Sequence, residues 1–296
     1  MKRREWLGYF LLFIAGCTVV NSGLQGESYN LAGNEPEKLR LAVTEVKGIE
    51  QLERDYGEFR IALEQISDRK IEFLPVNNYI ESAVALNSDK VDLVLTGPSE
   101  YVVIRARTNA IPIIAITRPN YRSVIAVNAQ SAIASVADLK GKTIALWDVG
   151  STSGHIGPIS LLSNAGLNPK SDLKILMLRE KGLPALKNGS VDAWGGSMIK
   201  YKKFLLDESL SENQFRLIAT GPLLPSDVLV ASSKITPKFV EMLRDRLLKN
   251  QDKLIKSLLA VEEGKYKGST LVTANDADYN MIREFYKAIG EGDFIN

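Results

Sequence analysis

Short apolar, β-branched runs recur along the chain at Leu39 to Thr44, Ile71 to Pro75, Val91 to Leu95, Ile111 to Thr117, Val124 to Val127, Thr143 to Leu146, Leu173 to Leu178 and Val228 to Ala231. Such runs are the signature of strands with both faces covered. Between most of them lie stretches with helical spacing. Ile61, Leu63 and Ile66 mark one, Ile80, Val84 and Ala85 another, and Pro158 to Ala165 a third that Gly166 can close as a C-cap. Strand and helix in alternation predict an α/β fold with mostly parallel sheets. Thr117 to Tyr121 and Ala219 to Pro225 are rich in Pro or Gly beside strand candidates and read as two crossovers between lobes. Residues 38–119 plus 222–296 then form one lobe and 120–221 the other. Phe239, Met242, Leu243, Leu247, Leu254, Ile255 and Leu258 form helical stripes that face the core of the first lobe. The sequence shows no internal repeat.

Against this pattern the run Gly150-Ser151-Thr152-Ser153-Gly154-His155 stands out, because it joins the strand run ending near Trp147 to the helix beginning near His155. Glycines let successive amides turn toward one point, and three hydroxyls add donors. The helix N-terminus behind them contributes unpaired N–H groups and the positive end of a dipole. A phosphorus or sulfur oxyanion fits such a cradle. An N-cap of small polar residues with nothing bound fits the string as well.

Composition narrows the setting. Lys2, Arg3 and Arg4 precede an apolar stretch from Trp6 to Gly16, which is far shorter than the roughly 20 residues of a spanning helix and reads as a secretory signal. Its end, Ile14-Ala15-Gly16-Cys17, resembles a bacterial lipobox. That resemblance implies a signal peptide over residues 1–16 and lipidation of Cys17, and the Asn, Ser, Gly and Glu of Thr18 to Glu37, with few apolar residues, suit a flexible tether over 17–37. Cys17 is the sole cysteine, so disulfides within the chain and a cysteine-based zinc site are excluded by count. Cleavage before Cys17 would remove three cations and one anion and leave a nearly neutral chain. A neutral chain has no basic field to draw in nucleic acid, so any anion must be held locally by amides and hydroxyls.

Enzyme readings find little to rest on. Gly141-Lys142-Thr143 has the end of a phosphate-binding P-loop, but Val136 stands where the earlier glycine is required and a strand follows where a helix should. Gly97-Pro98-Ser99-Glu100-Tyr101 lacks the closing glycine of a nucleophile elbow. One histidine, His155, and dispersed carboxylates offer no metal site. No catalytic residue and no cofactor is expected.

Several strings together resemble the phosphonate and phosphite branch of the periplasmic solute-binding proteins of ABC importers. They are Asn78-Tyr79, Val91 to Tyr101, Tyr121-Arg122-Ser123-Val124-Ile125, Asp138 to Thr143, Ser151-Thr152-Ser153-Gly154 and Lys187 to Ala193. The resemblance implies a two-lobed type II periplasmic binding protein fold. It also implies a periplasmic or cell-surface lipoprotein, monomeric, that is not an enzyme and hands a small phosphorus oxyanion (phosphite, phosphonate or phosphate) to membrane permease subunits. A sulfonate or another small molecule, or a sensor-kinase partner role, remains the alternative on the same scaffold. By the same resemblance Ser151, Thr152 and Ser153 would hold the oxyanion, Thr96 and Ser99 would offer hydroxyls from the facing lobe, and Tyr79, Tyr101 and Tyr121 would close over it. Each tyrosine reads equally as packed structure except Tyr79. Asp192 would accept the proton of a monoprotonated oxyanion or cap a turn, and His155 would donate to the anion or merely occupy the helix start. Glu45, Glu100 and Asp148 matter most if the ligand carries an amine. One departure stands out: Gly182-Leu183-Pro184 occupies the place where phosphonate binders usually carry a Gly-His pair.

Overall fold

The computed structural model describes residues 36–261 and 265–295, and the predicted signal, Cys17 and nearly all of the tether lie outside the described residues. The described residues form one compact unit built on two sheets. The first contains β1 (Lys38–Val43), β2 (Lys70–Phe73), β3 (Leu93–Thr96), β4 (Ile111–Ile116), β10 (Asp227–Ala231) and β11 (Leu271–Thr273), in the order β11-β4-β10-β3-β1-β2. The second contains β5 (Arg122–Asn128), β6 (Thr143–Leu146), β7 (Lys174–Met177), β8 (Ala193–Ser197) and β9 (Phe215–Leu223), in the order β7-β6-β8-β5-β9. Helices α1 (Ile49–Ser67), α2 (Tyr79–Asn87), α3 (Pro98–Thr108), α7 (Pro237–Lys249), α8 (Gln251–Ser257) and α9 (Asn280–Ala288) flank the first sheet. Helices α4 (Gly157–Asn164), α5 (Gly182–Lys187) and α6 (Met198–Asp207) flank the second.

The sheets are mixed where mostly parallel ones were predicted. β1, β2 and β3 pair in parallel, as do β6, β7 and β8. β10 inserts antiparallel between β3 and β4, and β5 inserts antiparallel between β8 and β9. Each inserted strand is the one that arrives from the opposite lobe, so it enters from the cleft end and must run backwards.

The fold also repeats itself, where the sequence predicted no repeat. Leaving out β11, the orders β2-β1-β3-β10-β4 and β7-β6-β8-β5-β9 are the same plan. Asp92, just before β3, donates its amide to the Arg40 carbonyl at 2.9 Å and accepts the Arg40 amide on its carboxylate at 2.7 Å. One hundred residues later Asp192, just before β8, makes the same exchange with Thr143 at 2.9 and 2.8 Å. An Ala-Leu pair and a Val-Asp pair survive at both places, Ala85-Leu86 and Val91-Asp92 against Ala185-Leu186 and Val191-Asp192.

The helical stripe Phe239, Leu243, Leu247, Leu254 and Leu258 is buried against β1, β4, α1 and β10, with Met242 and Ile255 at its margin. The first crossover runs from Thr117 to Tyr121. The second is shorter than the sequence suggests, because Ala219 to Leu223 continue β9 along β5 and leave only Leu224 to Ser226 between strands. The Leu224 amide donates to the Tyr121 carbonyl at 2.8 Å and ties the two crossovers side by side. Strand C-termini and helix N-termini of both lobes meet across the space these crossovers span, the usual place for a ligand in open α/β sheets.

Candidate functional site

The cleft between the lobes has a volume of about 1060 Å³. From the first lobe come Thr44 and Glu45 after β1, Tyr79 at the head of α2, and Gly97, Ser99 and Glu100 at the head of α3. From the second come Trp147, Ser151, Thr152 and Ser153 after β6, Arg179 after β7 and Ser197 after β8; Arg118 and Tyr121 line it from the first crossover.

The segment Thr152–Ile156 is a turn of π-helix, wider than the α4 turns that follow it. The Ser151 carbonyl accepts from the amides of both His155 and Ile156 at 2.9 Å, and the Ser151 hydroxyl caps the Gly154 amide at 3.3 Å. The amides of Thr152 and Ser153 head this turn, where no helical carbonyl reaches them, and both residues line the cleft. Gly150 enters the turn with φ +88°, and a Cβ there would also press to 3.2 Å from the Tyr79 ring. Gly154 lies against Trp147 so closely that a Cβ would stand 2.4 Å from the Trp147 Cβ.

Two of the predicted anion donors bind each other across the lobes. The Ser99 amide donates to Thr152 Oγ1 at 3.0 Å, the two hydroxyls lie 2.7 Å apart, and Ser99 Oγ donates to the Gly150 carbonyl at 2.5 Å. Ser99 and Thr152 therefore act as a clasp between the lobes. Tyr121 is buried, its hydroxyl bonds Ser153, and burial pushes its pKa up. The Arg118 guanidinium stacks on the Tyr121 ring at 3.6 Å from its centre. Tyr79 is half-buried, and its pKa is raised by burial and by the Glu100 charge.

Four predicted residues lie elsewhere. Thr96 sits behind Glu100, to which it donates at 3.0 Å. Tyr101 is two positions from Ser99 on α3, and residues two apart do not share a helix face. Its ring packs on Tyr279, 4.4 Å between centres, and its hydroxyl donates to Asp276 at 2.6 Å. Asp192 lies at the start of β8 whereas Ser197 at its end lines the cleft, a separation of about 16 Å along the strand. His155 accepts the Gly150 amide on Nδ1 at 3.2 Å and faces a separate cavity of about 860 Å³ beside α9. Burial lowers its pKa, which disfavours the charged form.

In their place the structure adds charges that sequence reading missed or ranked low. Asp227, the first residue of β10, binds Lys265 at 2.8 Å, Arg118 at 3.3 Å and the Tyr266 hydroxyl at 2.8 Å; Lys265 also binds Glu45. Burial opposes ionisation of Asp227, yet Lys265 and Arg118 hold its carboxyl below the ordinary value. Arg118 Nε is buried without a hydrogen-bond partner. These contacts span 109 residues between Arg118 and Asp227 and 220 between Lys265 and Glu45, so no local motif could reveal them. Among the described residues no group of three or more His, Cys, Asp or Glu side chains is placed to hold a metal.

Two lobes of this topology, joined by paired crossovers around a polar cleft, define the class of type II periplasmic binding proteins. Residues 41–279 match the family of phosphonate periplasmic substrate-binding proteins of ABC transporters, and the chain belongs to that family. It is thus the periplasmic substrate-binding component of an ABC importer. The phosphate-import protein PhnD of Mycolicibacterium smegmatis is 24% identical over 296 aligned residues, 91% of each chain. Among solved structures, PhnD1 from Prochlorococcus marinus in complex with methylphosphonate is 20% identical with a TM-score of 0.69, over 87% of this chain and all of that one. XAC2383 from Xanthomonas citri, bound to ATP, is 17% identical with a TM-score of 0.73, over 88% of this chain and all of that one.

Proposed function

We propose that the cleft captures a small phosphorus oxyanion, with phosphite or a small phosphonate preferred over phosphate, and delivers it to a membrane permease. The observation that carries this reading is the π-helical turn at Ser151 to Ser153, which presents two unpaired amides beside three hydroxyls, with Tyr121 on Ser153 and Arg118 stacked behind. Amides and a guanidinium are the donors that match a tetrahedral oxyanion. Ser151, Ser153, Tyr79, Tyr121 and Arg118 hold the anion, while Ser99 and Thr152 fasten the lobes around it. Closing is favoured because an anion bridging both lobes binds the closed form better than the open one. The protein acts as a monomer anchored by lipid on Cys17, one lobe formed by residues 38–119 plus 224–296 and the other by 120–223, where β9 ends.

The test is a calorimetric titration of phosphite, methylphosphonate, 2-aminoethylphosphonate, phosphate and sulfate, with thermal shift alongside, because a ligand that binds only the folded state must raise its stability. Tight binding of phosphite or methylphosphonate with weak sulfate is expected. A response confined to sulfate and sulfonates would refute the phosphorus reading. Labelling of Cys17 by palmitate in cells, lost in Cys17→Ser, checks the anchor.

A further inference from the structure

Glu100 is the third residue of α3 and lines the cleft. One of its oxygens, Oε2, accepts the Thr96 hydroxyl at 3.0 Å, the Gly97 amide at 3.3 Å and the Thr44 hydroxyl. A single point above Gly97 lies 3.7 Å from Glu100 Oε2, from Glu45 Oε1 and from Thr152 Oγ1. The turn that receives the oxyanion therefore shares its floor with two carboxylates. The other ionisable groups facing Glu100 are Glu45 from the loop after β1, Tyr79 from α2 and Tyr286 from α9. None of these is a cation. Arg107, at the far end of α3, acts on Tyr79, and the cations Lys265 and Arg118 are bound to Glu45 and Asp227. A fully ionised anion placed here meets a carboxylate with no proton between them.

We propose that Glu100 is a specificity-determining residue of the cleft, and that the oxyanion binds together with one proton shared between a Glu100 carboxyl oxygen and an oxygen of the ligand. This rests on the oxyanion reading above. The proton comes from solvent, either on the ligand as its monoprotonated form or on Glu100. It returns to solvent on release, and no bond to phosphorus is made or broken. Burial first, and then the neighbouring Glu45 charge, push the Glu100 carboxyl up to about 7, so the proton is available near neutral pH. Above that pH a sulfate or sulfonate brings no proton of its own and meets an ionised Glu100. A phosphorus oxyanion can still carry one, and this difference selects between the two classes.

The experiment is calorimetric titration of phosphite into the full chain at pH 6.5, 7.5 and 8.5, in buffer pairs of different ionisation enthalpy, which counts the protons taken up. The wild type is expected to take up close to one proton at pH 8.5, with Kd rising about tenfold per pH unit above 7.5. Glu100→Gln, which keeps the shape without the charge, is expected to show uptake near zero, a flat Kd and reduced preference for phosphite over sulfate. Uptake near zero in the wild type at pH 8.5, or equal uptake in both proteins, overturns the proposal while leaving oxyanion binding intact. Absence of heat with phosphite, methylphosphonate and phosphate alike overturns the oxyanion reading itself. Should Glu100→Gln not fold, the wild-type proton count decides, with Glu100→Asp as the second variant.

Discussion

Lys265→Met removes the cation at the centre of the buried cluster that joins both crossovers. The Lys265 side chain is 2% exposed, Asp227 1% and Arg118 7%, so the charges are cut off from water and depend on one another. Breaking a buried pair by deleting one partner costs about 3 to 5 kcal/mol, because the remaining charge is left without compensation. Asp227 would keep Arg118 at 3.3 Å and the Tyr266 hydroxyl at 2.8 Å, and Glu45 is 29% exposed and can rehydrate, which places the cost at the lower end, about 3 kcal/mol. With a urea slope of about 2 to 3 kcal/mol per molar, the unfolding midpoint should fall by about 1 to 1.5 M with the slope unchanged. Tryptophan fluorescence reads the transition. The pH dependence gives an independent check. In the wild type the Asp227 carboxyl is held low, so its stabilising contribution is present above the unfolded value and is lost only as pH falls through the folded one. In Lys265→Met that carboxyl moves up, and the deficit relative to wild type should shrink on acidification. The double variant Lys265→Met with Asp227→Asn should recover more than half of the loss. A single-variant cost under about 1 kcal/mol, or additive costs in the double variant, would refute the view that these charges stand as one buried unit.

Further outcomes follow from the same geometry. Ser153→Ala should weaken phosphite binding by about 1.5 to 3 kcal/mol, the worth of a charge-assisted hydrogen bond, and should cost the free protein about 1 kcal/mol because the buried Tyr121 hydroxyl loses its partner. Gly154→Ala forces a methyl group against the Trp147 Cβ and should abolish binding by displacing the π-helical turn, visible as lost heat in calorimetry and a changed tryptophan spectrum. Tyr101→Phe and Asp192→Asn should each cost about 1 kcal/mol of stability in urea and leave Kd unchanged, because Tyr101 bonds Asp276 and Asp192 bonds the Thr143 amide, away from the cleft. In the free protein the Glu100 carboxyl is raised from 4.5 to about 7, so its contribution to stability is present below the unfolded value and is lost as pH rises through 7. The loss is at most about 3 kcal/mol, and Glu100→Gln should flatten that slope in urea titrations between pH 5 and 8.

The sequence reveals most where chemistry is local. Ser151-Thr152-Ser153-Gly154 between a buried run and a helix start needs nothing distant to be read as a strand-to-helix turn, which the structure sets in the lining of the cleft, and Thr117 to Tyr121 as a crossover needs only its Pro and Asn. Tyr101 misleads because the string around it is continuous while a helix turns it away from Ser99. Asp192 misleads because a polar residue beside a strand gives no sign of which strand end faces the cleft. His155 follows the cradle in sequence, yet its ring takes the Gly150 amide and faces the other cavity. Arg118, Asp227 and Lys265 are scattered over the chain and converge only when both crossovers lie side by side. β9 escapes recognition because its residues are half-buried for most of its length, so its apolar pattern is weak.

Whether the turn at Ser151 to Ser153 holds a phosphorus oxyanion is decided by the calorimetric Kd for phosphite and for methylphosphonate in the wild type and in Ser153→Ala, with sulfate as the reference anion. Strong binding of at least one of the two phosphorus ligands, weaker sulfate, and a loss of ten- to a hundredfold in the variant are expected. Equal affinity for all three anions, or a variant that binds as well as the wild type, would contradict that role of the turn.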